Sequence, residues 1–187
     1  MFYSLGPVWK NGDLEFPSID NPAGLFDCED LLKTDSLLES WEKPNLIPSE
    51  KADPIDLYFS VSEHFAFSPE AVATLKELTG KYVEWLPVEI YGIGEYFFIN
   101  PLVSISLGPD SQWERNDVSK NIVEITKYNF LASDIADLNV FRIRQPQDSS
   151  AGEAGFCHSS IVVSEQFRSS WNNSNYKGLN FKSLPAS

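Results

Sequence analysis

Tyr82-Val83-Glu84-Trp85-Leu86-Pro87-Val88-Glu89-Ile90-Tyr91 and Glu95-Tyr96-Phe97-Phe98-Ile99-Asn100-Pro101-Leu102-Val103-Ser104-Ile105 are two runs rich in aromatic and β-branched residues. Gly92-Ile93-Gly94 joins them. Such side chains suit a half-buried pleated surface, and the glycines supply a turn or bulge with positive φ. The stretch therefore predicts a β-hairpin. Pro87 and Pro101 each lack a ladder donor, which predicts bulges or edge positions. Glu84 and Glu89 are an odd number of residues apart, so a regular strand sends them to opposite faces. That spacing argues against an acid/base pair.

The flanking sequence supplies helices and further strands. Leu57 to Val61 reads as a strand. Ser68-Pro69-Glu70 is a helix start, with a hydroxyl to accept an orphan amide, a proline at the first helical position and an acid in the first turn. Val72, Leu75 and Leu78 follow at helical spacing, and Gly80 suits the residue after the helix. Downstream, residues 107–119 read as a polar connection. Ile122 to Phe130, Asn139 to Arg144 and Ser160 to Val163 read as strands. Gln145 to Gly155 is a Gly/Ser/Asp loop. A short helix is predicted near Glu165 to Trp171, and a last strand over Leu179 to Leu184.

Phe59-Ser60-Val61-Ser62-Glu63-His64-Phe65 echoes Ile161-Val162-Val163-Ser164-Glu165-Gln166-Phe167. Each reads as the end of a strand, then a capping serine and a helix-favouring glutamate. A nucleophilic role for Ser62 or Ser164 is the weaker alternative to capping. The fold class expected is α+β: a mainly antiparallel sheet, two or three short helices, and two strand–cap–helix–strand units.

Residues 1–55 are turn-rich, punctuated by Gly6-Pro7, Asn11-Gly12, Asn21-Pro22, Gly24, Pro44, Pro48 and Pro54. Met1 to Trp9 reads as a first strand, since it lacks the basic n-region and cleavage site of a signal peptide. Asp27 is expected to cap a short helix from about Cys28 to Trp41. The expected organisation is an acidic N-terminal region, 1–55, packed on an α+β core domain, 56–187.

The 187 residues carry a formal net charge of −13. Residues 1–56 hold 4 basic and 12 acidic side chains, a net of −8; residues 57–110 hold 2 and 7, a net of −5. Residues 111–187 hold 8 of each. The deficit therefore lies wholly in the first 110 residues. Acidic surface repels phosphate and attracts basic partners, so a basic protein is expected as partner and nucleic acid is not. No apolar run approaches the ~20 residues of a membrane span. Two cysteines, Cys28 and Cys157, fit free thiols in a reducing cytoplasm better than a secreted disulfide framework. Asn172-Asn173-Ser174 matches a glycosylation sequon but has no secretory context to give it meaning.

Catalytic signatures are sparse. Gly92-Ile93-Gly94 starts like a dinucleotide fingerprint, but Phe97 replaces the third glycine and the turn opens no helix. Cys157-His158 are adjacent and point to opposite faces of a strand, so they form no thiolate–imidazolium pair there. Cys28, Cys157, His64 and His158 lack the paired spacing of a zinc site. No metal or cofactor is expected.

Leu86-Pro87-Val88-Glu89-Ile90-Tyr91-Gly92, Gly94 and Tyr96-Phe97-Phe98-Ile99-Asn100 together resemble the central hairpin of a bacterial family first catalogued as a domain of unknown function. That family was later assigned as immunity proteins of polymorphic toxin systems. The resemblance continues through Val140-Phe141-Arg142-Ile143, Ile161-Val162-Val163-Ser164-Glu165, Phe167 and Gly178-Leu179, Phe181. It covers roughly residues 56–184 and leaves 1–55 unmatched. The resemblance implies a non-enzymatic antidote that binds and blocks a cognate toxin. It names no catalytic residues. On this reading Asp27, Glu29, Asp30, Asp35, Glu39 and Glu42 are the candidate partner-binding acids. The alternatives are an enzyme built on Cys157, His158 or His64, and a scaffold that self-associates, as a homodimer for example, through strand edges.

Overall fold

The computed structural model describes residues 1–10, 13–14, 18–20, 34–48, 54–60, 64–115, 122–144 and 157–184. The first half forms β1 (Phe2–Pro7), β2 (Trp9–Lys10), β3 (Asp13–Leu14), β4 (Ser18–Asp20), β5 (Asn45–Pro48), β6 (Leu57–Ser60), β7 (Phe65–Phe67), α1 (Pro69–Thr79) and β8 (Val83–Ile90). The second half forms β9 (Gly94–Pro101), β10 (Ser104–Ser106), β11 (Gln112–Arg115), β12 (Ile122–Lys127), α2 (Ala132–Ile135), β13 (Val140–Arg144), β14 (Cys157–Ser164), α3 (Glu165–Asn173) and β15 (Leu179–Ser183). The fold is α+β with mostly antiparallel pairing, as expected from the sequence. The two strand–cap–helix–strand units are β7–Ser68–α1–β8 and β14–Ser164–α3–β15.

The β8–β9 hairpin pairs without interruption from Val83↔Pro101 to Ile90↔Gly94. Neither proline makes a bulge. Pro87 is tolerated because its carbonyl points away from β9, where it accepts from Trp41 Nε1 at 2.8 Å. In an antiparallel strand the amide and carbonyl of one residue point the same way, so its missing donor also faces away from β9. The expected second strand stops at Pro101, and the chain re-enters pairing as β10 in a different sheet.

Alternation along this hairpin builds two cores. Leu86, Val88, Ile90, Tyr96 and Phe98 join Leu46, Tyr58 and Ala66 in one buried cluster. It lies within a closed barrel ordered β4-β5-β8-β9-β7-β6. Val83 and Ile99, on the opposite face, join Phe67, Leu75, Phe167 and Trp171 in the other. Trp171 is fully buried and meets Phe67 edge to face at 5.6 Å. This second core lies under α1 and α3, which pack on each other.

The other sheet is ordered β10-β13-β14-β1-β15, with β10 and β13 parallel. Its strands alternate in the same way. Tyr3, Leu5, Val140, Ile161 and Val163 face the helices. Phe141, Ile143 and Val162 face a third cluster with Ile105, Ile125 and Leu184. Residues 1–55 thus contribute β1 to this sheet and β4 and β5 to the barrel.

Ser68 caps α1 by accepting from Ala71 N at 3.2 Å, and Ser164 caps α3 by accepting from Phe167 N at 3.2 Å. The first cap therefore differs from the Ser62 that the internal echo suggested. A strand, β7, folds back on β6 before α1 begins. Val61-Ser62-Glu63 and the expected loop Gln145 to Gly155 lie outside the described residues. Gly178, at φ 102, approaches Leu57 so closely that an added Cβ would stand 3.1 Å from Leu57 Cβ. Only glycine suits that backbone and that contact.

Three further expectations are corrected. Residues 34–41 hold no helix; they form no regular element apart from a turn at 38–40, and tertiary bonds to the barrel take several of their polar groups. The remainder of the expected 28–41 helix lies outside the described residues. The polar connection 107–119 contains β11, paired with β12 through two register shifts. The short helix α2 was not anticipated. Among the described residues no helix is long and apolar enough to cross a membrane.

The two caps differ in surroundings. Ser68 meets the Ala71 amide, whereas Ser164 also donates to Asn139 Oδ1. We expect Ser68→Ala to lower stability by about 1 kcal/mol. Ser164→Ala should lower it by roughly 2–3 kcal/mol, since it also strips the partner from a half-buried acceptor. Urea titration of both variants measures this, and equal losses would contradict the assignment.

Candidate functional site

Residues 34–48 form a strap that runs beside β8 in the same direction. Its contacts with the hairpin advance in step: Ser36 and Leu37 with Glu84, Trp41 with Pro87, Lys43 with Glu89, and Leu46 with Tyr91.

The first anchor is Glu84. It shares a face of β8 with Leu86, Val88 and Ile90. It is 7% exposed, and its registered neighbour Asn100 is fully buried. A carboxylate in such a place needs donors. Ser36 Oγ donates to its Oε1, and Leu37 N donates to its Oε2 at 2.8 Å. Asn100 Nδ2 donates to the same oxygen at 3.1 Å and to the Asp35 carbonyl at 3.0 Å. One acid thus closes the end of the hairpin and fixes the start of the strap.

The second anchor is Trp41, whose indole donates to Pro87 and whose ring meets Phe98 edge to face at 6.4 Å. The third is Lys43. Glu89 and Glu95 are directly paired across the hairpin, a repulsive arrangement on its own. Lys43 Nζ lies 2.8 Å from a carboxylate oxygen of each. Its bonds to Glu89 and then Glu95 push its pKa above the ordinary lysine value. Pro44 and Leu46 complete the strap by accepting from Glu89 N and Tyr91 N, each at 2.9 Å.

These anchors leave one side of the strap facing solvent. Asp35, Glu39 and Glu42 are exposed, and Leu38 between them is 55% exposed. Three of the six candidate acids therefore share one anchored segment. Asp27, Glu29 and Asp30 lie outside the described residues. Sequence reasoning missed Glu84, Lys43 and Glu95 as the frame of this surface. The available signal was parity: Glu84 falls in step with three large apolar residues, which marks it as buried.

Of the enzymatic alternative's residues, the described side chain is that of His64. His64 is buried, with its ring edge-on to Phe98 at 5.8 Å. Cys157 and His158 are consecutive on β14, where Cys157 is registered with Arg144; their side chains lie outside the described set. Ser164 is occupied as a cap. Among the described residues no three His, Cys, Asp or Glu side chains converge as a metal-binding group.

A separate polar contact joins β1 to α3. Tyr3 donates to Glu165 Oε2 and accepts from Arg168 Nη1 at 2.7 Å, and the guanidinium lies 4.7 Å from the Tyr3 ring centre. The bond to Glu165, then burial, raises the phenol pKa; the bond to Tyr3 lowers that of Glu165. A phenol held in its protonated form is a poor nucleophile, so this contact serves as a tie. Beside it, a cavity of about 480 Å³ opens between Met1, the turn at 135–139 and the start of α3. Its Ser164 and Asn139 side chains bond to each other, and Asn139 also donates to the Leu78 carbonyl.

Removing Glu84 as Ala should cost about 3 kcal/mol and speed hydrogen exchange at the Leu37 amide, because charge-assisted bonds are lost and their donors stranded. Glu84→Gln should cost much less, since the Ser36 hydroxyl can turn from donor to acceptor. Equal losses would refute a role resting on hydrogen-bond geometry. The Glu165 contact makes a different prediction. Its carboxyl is depressed in the folded state, so its stabilisation is present above the usual glutamate range and disappears as pH falls through the folded value. Glu165→Gln should therefore reduce the loss of thermal stability between pH 6 and pH 3, roughly the interval in which carboxylates titrate. An unchanged acid slope would count against it.

No protein-family model and no curated protein matches the chain.

Proposed function

We propose that this chain is an immunity protein: it binds a cognate bacterial toxin of basic surface in the cytoplasm and occludes it, without catalysing a reaction. The observation that carries this reading is the strap. It presents Asp35, Glu39 and Glu42 to solvent on a segment anchored at Glu84, Trp41 and Lys43. Toxins that act on nucleic acids need basic clefts, and an acidic surface complements such a cleft. The net charge of −13 adds long-range attraction and faster encounter. Anchoring matters because an epitope already ordered loses less entropy on binding. The hairpin motifs that resemble the immunity family also frame this strap, since Pro87 and Glu89 on β8, and Tyr91 just beyond it, are among its contacts.

The test uses the purified chain and the protein encoded by the reading frame beside its gene, in an inactivated form. We expect binding, and rescue of cells that express the active neighbour. The double reversal Glu39→Lys with Glu42→Lys should weaken binding about tenfold or more, mainly through a slower association rate, with a flatter dependence on salt. An absence of both binding and rescue would sink the proposal.

A further inference from the structure

The tip of the central hairpin carries a large aromatic side chain that the fold does not use. Tyr91 is 77% exposed, and Ile47 is 49% exposed. The two are neighbours by register. Leu46 pairs with Ile90 in the parallel β5–β8 ladder, and both point into the barrel. Ile47 follows Leu46 on β5, Tyr91 follows Ile90 at the end of β8, and both side chains are exposed. The backbone beneath Tyr91 is fixed. Its amide donates to the Leu46 carbonyl at 2.9 Å, Ile93 N donates to Ile90 O at 3.0 Å, and Gly92 takes φ 75 to close the turn. An exposed ring on a mobile tip would lose entropy on docking; a ring on a pinned tip loses little.

We propose that Tyr91, with Ile47 beside it, is the anchor by which this chain holds a basic protein partner. The proposal rests on the immunity reading and extends it from the strap to the hairpin tip. Tyrosine is enriched among residues that dominate binding energy, because it offers a large ring with few rotatable bonds and a polar end. The charge around it selects the occupant. Glu89 lies two residues before Tyr91 and Glu95 four after it, both bonded to Lys43, and the exposed acids Asp35, Glu39 and Glu42 lie on the strap that runs beside the same hairpin. Nucleic acid and anionic lipid are repelled by that rim. A second copy would bring another −13 against it. A basic protein surface with an apolar recess complements both parts: the recess takes the ring and its rim meets the carboxylates.

The probe is the inactivated product of the neighbouring reading frame, measured against the full chain by surface plasmon resonance at several salt concentrations. Tyr91→Ala should bind roughly thirtyfold more weakly, through faster dissociation, with its association rate and salt slope unchanged. Tyr91→Phe should stay within about threefold of the wild type, because the ring is retained. A urea midpoint equal to that of the wild type confirms that Tyr91→Ala folds. If Tyr91→Ala binds like the wild type while the Glu39→Lys/Glu42→Lys chain is weakened, the anchor is wrong and the immunity reading stands. If the wild type does not bind at all, both are overturned. A wild type that sediments as a dimer and a Tyr91→Ala variant that sediments as a monomer would assign the patch to a second copy and overturn the proposed occupant.

Discussion

The register of the β8–β9 hairpin is the constraint on which the rest of the molecule depends. Even-numbered residues from Glu84 to Ile90, and from Tyr96 to Asn100, face the barrel interior; odd-numbered Val83, Trp85, Phe97 and Ile99 serve the core beneath the helices. The period of a strand is two, so a slip of one residue would exchange the two sets completely. Glu84 would then lie among the helices, and Trp85 and Phe97 would crowd a barrel already filled by Tyr58, Tyr96 and Phe98. Because each face packs its own set of large apolar residues, a slipped register would disrupt both cores. The regular pairing across Pro87 follows from the same demand: a bulge there would reverse the alternation midway.

The strap solves a problem that the hairpin creates. The outer edge of β8 is paired as a strand by β5 only at its end, at Glu89 and Ile90. Upstream, its polar groups would face solvent as an open edge, and such edges invite pairing with other chains. Trp41 takes the Pro87 carbonyl, and the Glu84 carboxylate gathers the donors of Ser36, Leu37 and Asn100. Covering the edge in this way leaves the strap free of a ladder until β5 begins at Asn45. Many of its side chains turn outward, among them the acids Asp35, Glu39 and Glu42. An anchored, covered edge and a displayed acidic face are thus two consequences of one set of contacts.

Elements whose signals are local were legible in the sequence. Ser68-Pro69-Glu70 opens α1 because the cap, the proline and the acid act within one turn. Ser164 opens α3 for the same reason, and Gly92 marks the turn by the conformation it must adopt. The strap was not legible. Residues 34–41 carry acids, leucines and a tryptophan that suit a helix in isolation. Their structure is decided by Glu84 and Pro87, more than 45 residues away. Tertiary bonds override weak local propensity in such a segment. The echo of Val-Ser-Glu carried less than it suggested: α1 opens on Ser68 after β7, whereas α3 opens directly on Ser164. Of the candidate surface, acidity identified Asp35, Glu39 and Glu42, because charge needs no partner to be counted. The frame that holds them needed pairings across the chain, and those the sequence does not display.

Charge and architecture divide the chain at nearly the same place. Strands β4 to β9, which close the barrel, lie within residues 18–101; the other sheet draws β10, β13, β14 and β15 from later residues and β1 from the start. The acidic deficit ends at residue 110, and residues 111–187 are balanced. The half that builds the barrel therefore carries the whole charge imbalance, while the half that builds most of the five-stranded sheet carries none. The strap and Tyr91 belong to the part of the chain that carries the imbalance. The same hairpin that sorts apolar residues between two cores thus belongs to the acidic part of the chain, and at its tip it leaves Tyr91 and Glu95 exposed.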